Sequence, residues 1–270
     1  MDTQKRLIHS IKKASDILAL FGNEKKPLGI TELTRRLNLP KSTIATIVNT
    51  LEAIGYLEKD PFSTKYRFGP QLVQLGLKCV ASLDLITIAR AWMERFSFQF
   101  MEPINLGMLV GDSVMIIMRV EPENRYMAFP RSGSTVPLHT TCIGKAILAY
   151  MDRANRNQIL ENYKFVQLTP NTITTKGEFL KELAKVKKTG VSFDRQESIS
   201  GLAGIGGPVF NHAGVVIAAF AVSGNAERIN QLSTEIIEAA KFTTEQVSSM
   251  LGYSPVKIGA TSGGNYDVSR

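Results

Sequence analysis

Apolar positions recur at three- and four-residue steps from Leu7 to Phe21 (Leu7, Ile8, Ile11, Ala14, Leu18, Phe21), which predicts an amphipathic helix closed by Gly22 and Pro27. A short helix over Thr31–Leu37 follows, then a turn at Asn38–Pro40 and a third helix from Ser42 to about Ile54, stopped by Gly55. Tyr56–Lys59 and Lys65–Phe68 read as two short strands around a loop containing Pro61. The order helix, helix, turn, helix, hairpin is that of a winged helix-turn-helix, assigned to residues 1–69.

After Gly69-Pro70 the helical period resumes from Gln71 to about Phe100, with Leu72, Leu75, Leu83, Ile86, Ala89 and Met93 on one face. Residues 70–100 are therefore expected to form a linker and dimerisation helix. From Ile104 the pattern shortens to strands at Ile104–Val110, Val114–Val120 and Tyr126–Phe129 and helices near 141–151, 155–162 and 176–189. Strands at Gly204–Phe210 and Val215–Val222 precede a last helix over Ser233–Met250. Residues 101–252 thus read as an α+β domain on an antiparallel sheet. The tail 253–270, with Ser262-Gly263-Gly264-Asn265, is expected to be disordered, and there is no internal repeat.

Charge sharpens this division. Residues 1–80 hold 13 Lys and Arg against 7 Asp and Glu, whereas residues 81–270 hold 19 against 17, so most of the net +8 belongs to the N-terminal third. That imbalance favours a polyanion for this third, since neutralised phosphates release counterions. No apolar run reaches the roughly 18 residues of a membrane span and the first turns carry Lys5, Arg6, Lys12 and Lys13, so a cytoplasmic protein is expected. Cys79 and Cys142 suffice for neither a disulfide framework nor a structural zinc site, and fit free thiols in a reducing compartment.

In the third helix Ile44, Ile47, Val48, Leu51 and Ile54 form the packing face. The opposite face carries Ser42, Thr43, Thr46, Asn49 and Thr50, short polar side chains that let a helix backbone approach base edges in a major groove. Thr43, Thr46 and Asn49 are the candidate base readers. Lys41 at the head of the helix, Arg35 and Arg36 on the preceding helix, and Lys65 and Arg67 in the hairpin are the candidate phosphate or minor-groove contacts. The expected partner is a double-stranded DNA operator, read by a dimer as paired half-sites.

Leu39-Pro40-Lys41-Ser42-Thr43-Ile44, Thr50-Leu51-Glu52, Gly55-Tyr56-Leu57 and Tyr66-Arg67-Phe68-Gly69 resemble the winged helix of the isocitrate-lyase-regulator (IclR-type) family of bacterial transcriptional regulators. The resemblance continues through Ala81-Ser82-Leu83-Asp84-Leu85, Asn105-Leu106-Gly107, Pro137-Leu138-His139, Gly144-Lys145-Ala146 and Leu168-Thr169-Pro170-Asn171-Thr172-Ile173, over roughly residues 8–250. Many members follow Ser-Thr-Val with His or Tyr and then Arg, where this chain has Ala45 and Thr46. Without that Arg, operator preference rests on Thr46, Asn49 and DNA shape. The resemblance implies a GAF-like C-terminal domain whose pocket binds a small organic acid, an aromatic or a lactone-like effector, and sensing domains that pair dimers into tetramers. Repression or activation then follows from where the operator lies.

For the pocket, Thr140-Thr141-Cys142-Ile143-Gly144 opens an apolar helix whose unpaired amides suit a carboxylate or carbonyl oxygen; an ordinary Thr N-cap is the plainer account. The resemblance places Asp194 and Glu197 in a pocket-lining segment, with a solvated loop acid as the alternative. It also puts Gly204 where many relatives have Cys, which enlarges the cavity, and makes Ser223 a donor at the end of the last strand, with Asn105 reaching in from the first. The effector is expected to close the Thr141 helix, Asp194 and Ser223 around itself and so alter the spacing of two reading helices.

Other chemistry is weaker. The run Gly201-Leu202-Ala203-Gly204-Ile205-Gly206-Gly207 is followed by Pro208-Val209-Phe210, a strand where a dinucleotide loop requires a helix. His9, His139 and His212 are too scattered for a metal site, and His139 reads as a structural hydrogen-bonding group. A small-molecule enzyme or a redox sensor built on Cys142, a thiol at a helix N-terminus, remains the alternative to a regulator. Neither cofactor nor metal is expected.

Overall fold

The computed structural model describes residues 7–22, 24, 26–81, 84–122 and 131–254 of the 270. The chain divides into two compact units, Met1–Leu83 and Asp84–Arg270.

In the first unit α1 (His9–Gly22), α2 (Ile30–Leu37) and α3 (Lys41–Ala53) precede β1 (Leu57–Lys59), β2 (Tyr66–Phe68) and α4 (Pro70–Ala81). Ile17, Phe21, Leu33, Ile44, Val48, Leu51, Leu57 and Tyr66 form its core, so the three helical stripes and the hairpin close on one another. The turn between α2 and α3 works because Asn38 takes the left-handed conformation (φ 51°) that its short amide tolerates, and Pro40 then stands at the N-cap of α3. Leu28 exchanges two backbone hydrogen bonds with Tyr66 (3.0 and 2.9 Å), which ties the hairpin to the entry of α2. Gly69 is obligatory, since a Cβ there would lie 2.3 Å from the carbonyl oxygen of Gly55. Ile54, expected on the packing face, is instead exposed, because α3 ends at Ala53 and Gly55 (φ 75°) turns the chain away.

The second unit is a six-stranded antiparallel sheet in the order β5-β4-β3-β8-β7-β6. Its strands are β3 (Ile104–Val110), β4 (Ser113–Val120), β5 (Thr135–Pro137), β6 (Ser192–Arg195), β7 (Leu202–Phe210) and β8 (Val216–Asn225). Helices α6 (Cys142–Tyr150) and α8 (Lys176–Thr189) build a core with one face, and α5 (Asp84–Phe100) and α10 (Ser233–Met250) pack against strands and one another. Two short helices, α7 (Arg153–Ile159) and α9 (Ala226–Gln231), complete the unit. The central strands β7 and β8 are almost continuously buried, as expected for strands covered on both faces.

The stretch 70–100, expected as one linker helix, is described as α4 and α5 on either side of residues 82–83, which lie outside the described residues, and the two helices fall in different units. Leu85, Ile86, Ala89, Met93, Phe96 and Phe100 of α5 are buried, so burial within the second unit decides where this helix belongs. Residues 123–130, with the strand expected at Tyr126–Phe129, and residues 255–270 of the expected disordered tail lie outside the described residues.

Candidate nucleic-acid interface and ligand cavity

On α3 the buried positions Ile44, Val48 and Leu51 turn Lys41, Ser42, Thr46, Asn49 and Thr50 outward, while Thr43 is half-buried. The Thr46 hydroxyl donates to the Ser42 carbonyl (3.0 Å) and the Thr50 hydroxyl to that of Thr46 (2.8 Å). Each hydroxyl hydrogen is thereby engaged, and the threonines present lone pairs and methyl groups to the outside. The head of α3 has no side-chain cap and no acid in its first turn. Its positive dipole end therefore stands beside Lys41 alone.

The cations differ among themselves. Arg36 bridges Glu24 and Glu32 with two guanidinium nitrogens and is raised further above the usual arginine range, first by its bond to Glu24 and then by that to Glu32. Arg67 pairs with Glu58 (2.7 Å), its cross-strand neighbour. Arg35, Lys41 and Lys65 are exposed and have no carboxylate within 4 Å among the described residues. The predicted phosphate contacts thus divide into three free cations and two engaged ones.

In the second unit a cavity of about 170 Å³ lies between the head of α6 and the sheet. Asn105, Thr141, Cys142, Ile143, Asp194 and Ser223 line it, as the sequence suggests. Its wall also contains residues the sequence did not single out, chiefly Ile116, Leu168, Ser198, Ile199 and Leu202. These come from two strands, β4 and β7, and from loops distant in the chain, and no local pattern marks them.

The polar groups of the wall are unequally available. Thr141 caps α6, its hydroxyl accepting the Gly144 amide (3.2 Å), while the Cys142 and Ile143 amides donate to no protein acceptor among the described residues. Asn105 accepts from the Arg119 guanidinium at its oxygen (2.9 Å), which directs its amide nitrogen elsewhere. The Ser223 hydroxyl lies on the cavity wall opposite Gly204 in the β7–β8 register. Asp194, by contrast, is occupied: Oδ1 accepts the Glu197 amide (2.7 Å) and Oδ2 the Ser198 hydroxyl. Burial pushes its carboxyl above the usual range despite these bonds.

Two predicted residues do not line the cavity. A Cβ on Gly144 would lie 2.1 Å from the Leu138 carbonyl oxygen, so this glycine lets α6 pack on the preceding turn. Gly204 is absent from the wall, yet a Cβ there would stand 3.1 Å from Cys142 Sγ and 3.2 Å from Ser223 Oγ. Its missing side chain therefore governs how closely two wall residues approach. Cys142 overturns the thiolate reading: the thiol is buried, and burial first and Asp194 second push it far above the usual range. Desolvation outweighs the helix dipole here.

Behind the wall lies a group that sequence reasoning missed. Lys145 is 0% exposed; its Nζ donates to the Phe193 carbonyl (2.8 Å) and to Glu197 Oε1. Glu197 therefore braces α6 against the 193–198 segment instead of facing the cavity, and burial raises its carboxyl while Lys145 lowers it. The Glu197 carbonyl in turn accepts from Thr172 (2.7 Å), so the Thr169–Thr172 motif latches the same segment. A lone Lys inside Cys142-Ile143-Gly144-Lys145-Ala146-Ile147 was the available signal, because a cation in an apolar helix needs a buried partner. His139, expected to be structural, is buried between the Tyr163 hydroxyl (2.7 Å) and the Val166 carbonyl (3.0 Å).

The same division appears in comparisons with known proteins. The family model described as the IclR helix-turn-helix domain matches residues 10–61, and that of the bacterial transcriptional regulator IclR C-terminal matches residues 77–249. The regulator XynR of Escherichia coli is 32% identical over 224 residues, covering 83% of this chain and 89% of its own. The regulator KdgR of Dickeya chrysanthemi is 33% identical over 254 residues, covering 94% and 83%. An IclR homolog of Microbacterium hydrocarbonoxydans, crystallised with 4-hydroxybenzoate, shares the fold at 22% identity with a TM-score of 0.80 over 90% of this chain and 98% of that one. A helix-turn-helix unit followed by an antiparallel effector domain, matched in order along nearly all of its described length, makes this chain a member of the IclR family of bacterial transcriptional regulators.

Proposed function

We propose that α3 reads operator DNA, that the cavity behind Thr141 binds a small organic metabolite, and that occupancy of the cavity changes operator affinity. The observation that carries this reading is the exposed face of Lys41, Ser42, Thr46 and Asn49 at an uncapped helix head, in a chain whose second unit holds a mainly apolar cavity. Phosphates suit the head of α3 and the free cations Arg35, Lys41 and Lys65, while Thr46 and Asn49 are placed for base edges. Arg36 and Arg67, held by carboxylates, serve the fold before they serve DNA. Asn49 carries the sequence preference that an Arg at position 46 carries in many relatives.

Among the described lining residues none is Lys, Arg or His, and the Cys142 and Ile143 amides with the dipole of α6 are placed to hold an effector's carboxylate or carbonyl. Asn105 and Ser223 supply donors on the opposite side, and Ile116, Leu168, Ile199 and Leu202 cover an apolar body. That favours a small acid, an aromatic or a lactone-like compound over a polyanion. The binding of 4-hydroxybenzoate by the Microbacterium protein is in keeping with this class. A binding site suits this wall better than an enzyme site, because its thiol is protonated and its carboxylate is occupied by Ser198 and the Glu197 amide.

Self-association belongs to the same reading. Leu7, Ile8 and Ile11 by α1 and Val73, Leu75 and Leu77 on α4 are exposed in the single chain, and two such units bring two reading helices to one operator. No described helix is long and apolar enough to cross a membrane, which accords with a cytoplasmic regulator working where DNA and metabolites meet. Coupling between the sites is reciprocal, so operator DNA changes effector affinity by the factor by which effector changes operator affinity. A thermal-shift screen of small acids, aromatics and lactones supplies the effector, and selection from random duplexes supplies the operator. Calorimetric titration of effector with and without that duplex then gives two different Kd values; equal values rule the coupling out.

A further inference from the structure

The β1–β2 hairpin carries an anomaly that neither the core nor the reading helix explains. Phe62 at its tip is 94% exposed. The tip is nonetheless well fixed: Ser63 donates its amide to the Asp60 carbonyl (3.3 Å) and its hydroxyl to the Asp60 carboxylate (2.7 Å), and the Asp60 amide donates to the Lys65 carbonyl (2.9 Å). This is a four-residue turn, Asp60–Ser63, with Pro61 at its second position setting the backbone and Phe62 at its third. The ring is therefore carried at the surface on a short backbone turn that is itself held in place.

Charge around the ring selects the partner. Both hairpin acids are engaged internally, Glu58 by Arg67 and Asp60 by Ser63. Lys65 is exposed and has no carboxylate partner among the described residues, and Lys59 reaches only to 3.8 Å from Glu52 on α3. An apolar ring flanked by outward ammonium groups matches a stacked, phosphate-edged duplex better than it matches an apolar protein surface. Phe62 stands beyond the end of β1, whose first residue, Leu57, is buried in the unit's core, so the tip is anchored while the ring lies free at the surface.

We propose that Phe62 is an apolar wedge that enters the minor groove flanking the α3 half-site, partly unstacks one base step and kinks the duplex there. The inference rests on the DNA-binding reading given above. It assigns a second source of sequence preference to this chain, since pyrimidine–purine steps yield to a wedge more cheaply than others do. In a chain without the arginine at position 46 of α3, discrimination shifts toward deformability at a position that no side chain reads by hydrogen bonding.

The test uses the full-length chain and a duplex recovered by wild-type selection from a random 40-base-pair pool. Bending is measured by energy transfer between end-labelled dyes, and unstacking by 2-aminopurine placed at successive steps. Phe62→Ala is expected to melt like wild type, to bind about tenfold more weakly, to leave the duplex unbent and to lose preference at the flanking step. Its salt slope stays at the wild-type value, because no phosphate contact is removed. Phe62→Leu keeps most of the kink. Unchanged bending and affinity in Phe62→Ala overturn the wedge while leaving DNA binding intact. An unchanged bend with an altered sedimentation coefficient overturns it too, and assigns the tip to a protein contact. If wild-type protein enriches no sequence at any salt concentration, the DNA-binding reading itself fails and the wedge fails with it.

Discussion

The outward face of α3 and the wall of the cavity are both polar constellations, but they are built on opposite principles. On α3 the functional candidates lie within nine residues of one helix, exposed except for the half-buried Thr43, and their mutual bonds are local i to i+4 contacts of threonine hydroxyls. Around the cavity the polar groups come from β3, α6, β6, β8 and the loops after Pro137 and Arg195, and several are satisfied by one another before any ligand arrives. A face that meets a large rigid partner needs only to be presented. A cavity that closes on a small one has to be braced from behind, and Lys145, Glu197, Thr169 and Thr172 provide that bracing here.

The sharpest way to break this contrast is to remove the brace. Lys145→Met leaves the Glu197 carboxylate buried without its partner, which typically costs about 3–5 kcal/mol. Its melting temperature falls steeply, and the double variant Lys145→Met/Glu197→Leu recovers much of the loss because neither charge is then buried alone. Truncating Asn49 or Thr46 on α3 leaves melting nearly unchanged. A Lys145→Met protein as stable as wild type would show that the pair is incidental to the cavity.

The same contrast explains what could be read from the chain. The order of elements in the first unit was legible because each helix and strand carries its own period and its own stop, such as Asn38, Gly55 and Gly69. The face of α3 followed from that period alone. Much of the antiparallel sheet was legible too, but β5 and β6 were not, since Thr135-Val136-Pro137 is only three residues long and Ser192-Phe193-Asp194-Arg195 has no alternation to mark it. The cavity was legible only at Thr141–Ile143, where a helix start announces itself, and through resemblance at Asn105, Asp194 and Ser223. Leu168, Ser198 and Ile199 reach the wall through loop geometry, and Leu202 from the start of β7, placements that only tertiary packing sets. For a related reason, the helical period over 70–100 shows that a helix has an apolar face but not which unit buries it; α5 buries its face within the second unit.

A smaller effect separates two neighbours on α2. Arg35 is exposed and has no carboxylate near it among the described residues, while Arg36 is held by Glu24 and Glu32. Arg35→Ala is expected to leave melting unchanged and to reduce the slope of log affinity against log salt by about 0.9, the value for one lost phosphate contact. Arg36→Ala is expected to lower the melting temperature slightly and to leave the slope nearly as it was. Salt titrations of both variants on one duplex decide this, and equal slope losses would place Arg36 on the phosphates despite its ion pairs.

The smallest effect tests how dry the supports of the cavity are. His139 lies between the Tyr163 hydroxyl and the Val166 carbonyl, two to five residues ahead of Leu168 on the wall. With Nε2–H donating to Val166, Nδ1 is left to accept the Tyr163 hydroxyl, so the neutral ring satisfies both neighbours. Protonation puts a second hydrogen on Nδ1 and a charge into an interior that already holds Lys145. Burial first, and Lys145 after it, hold the imidazole below its ordinary value of 6.5, although the bond to Val166 works the other way. Since the unfolded chain then binds the proton more readily than the folded one, the contribution is fully present above pH 6.5 and is lost as pH falls from there through the folded-state value. Asp194 and Glu197, whose carboxyls are raised by burial, act in the opposite direction at lower pH, so the wild-type curve alone does not isolate His139. The difference between wild type and His139→Gln does, because the amide keeps a donor and an acceptor but does not titrate. Melting temperatures taken from pH 8 to pH 5 are expected to converge toward those of the variant on the acid side, and two parallel curves would mean that water reaches the ring and the wall is less enclosed than its packing implies.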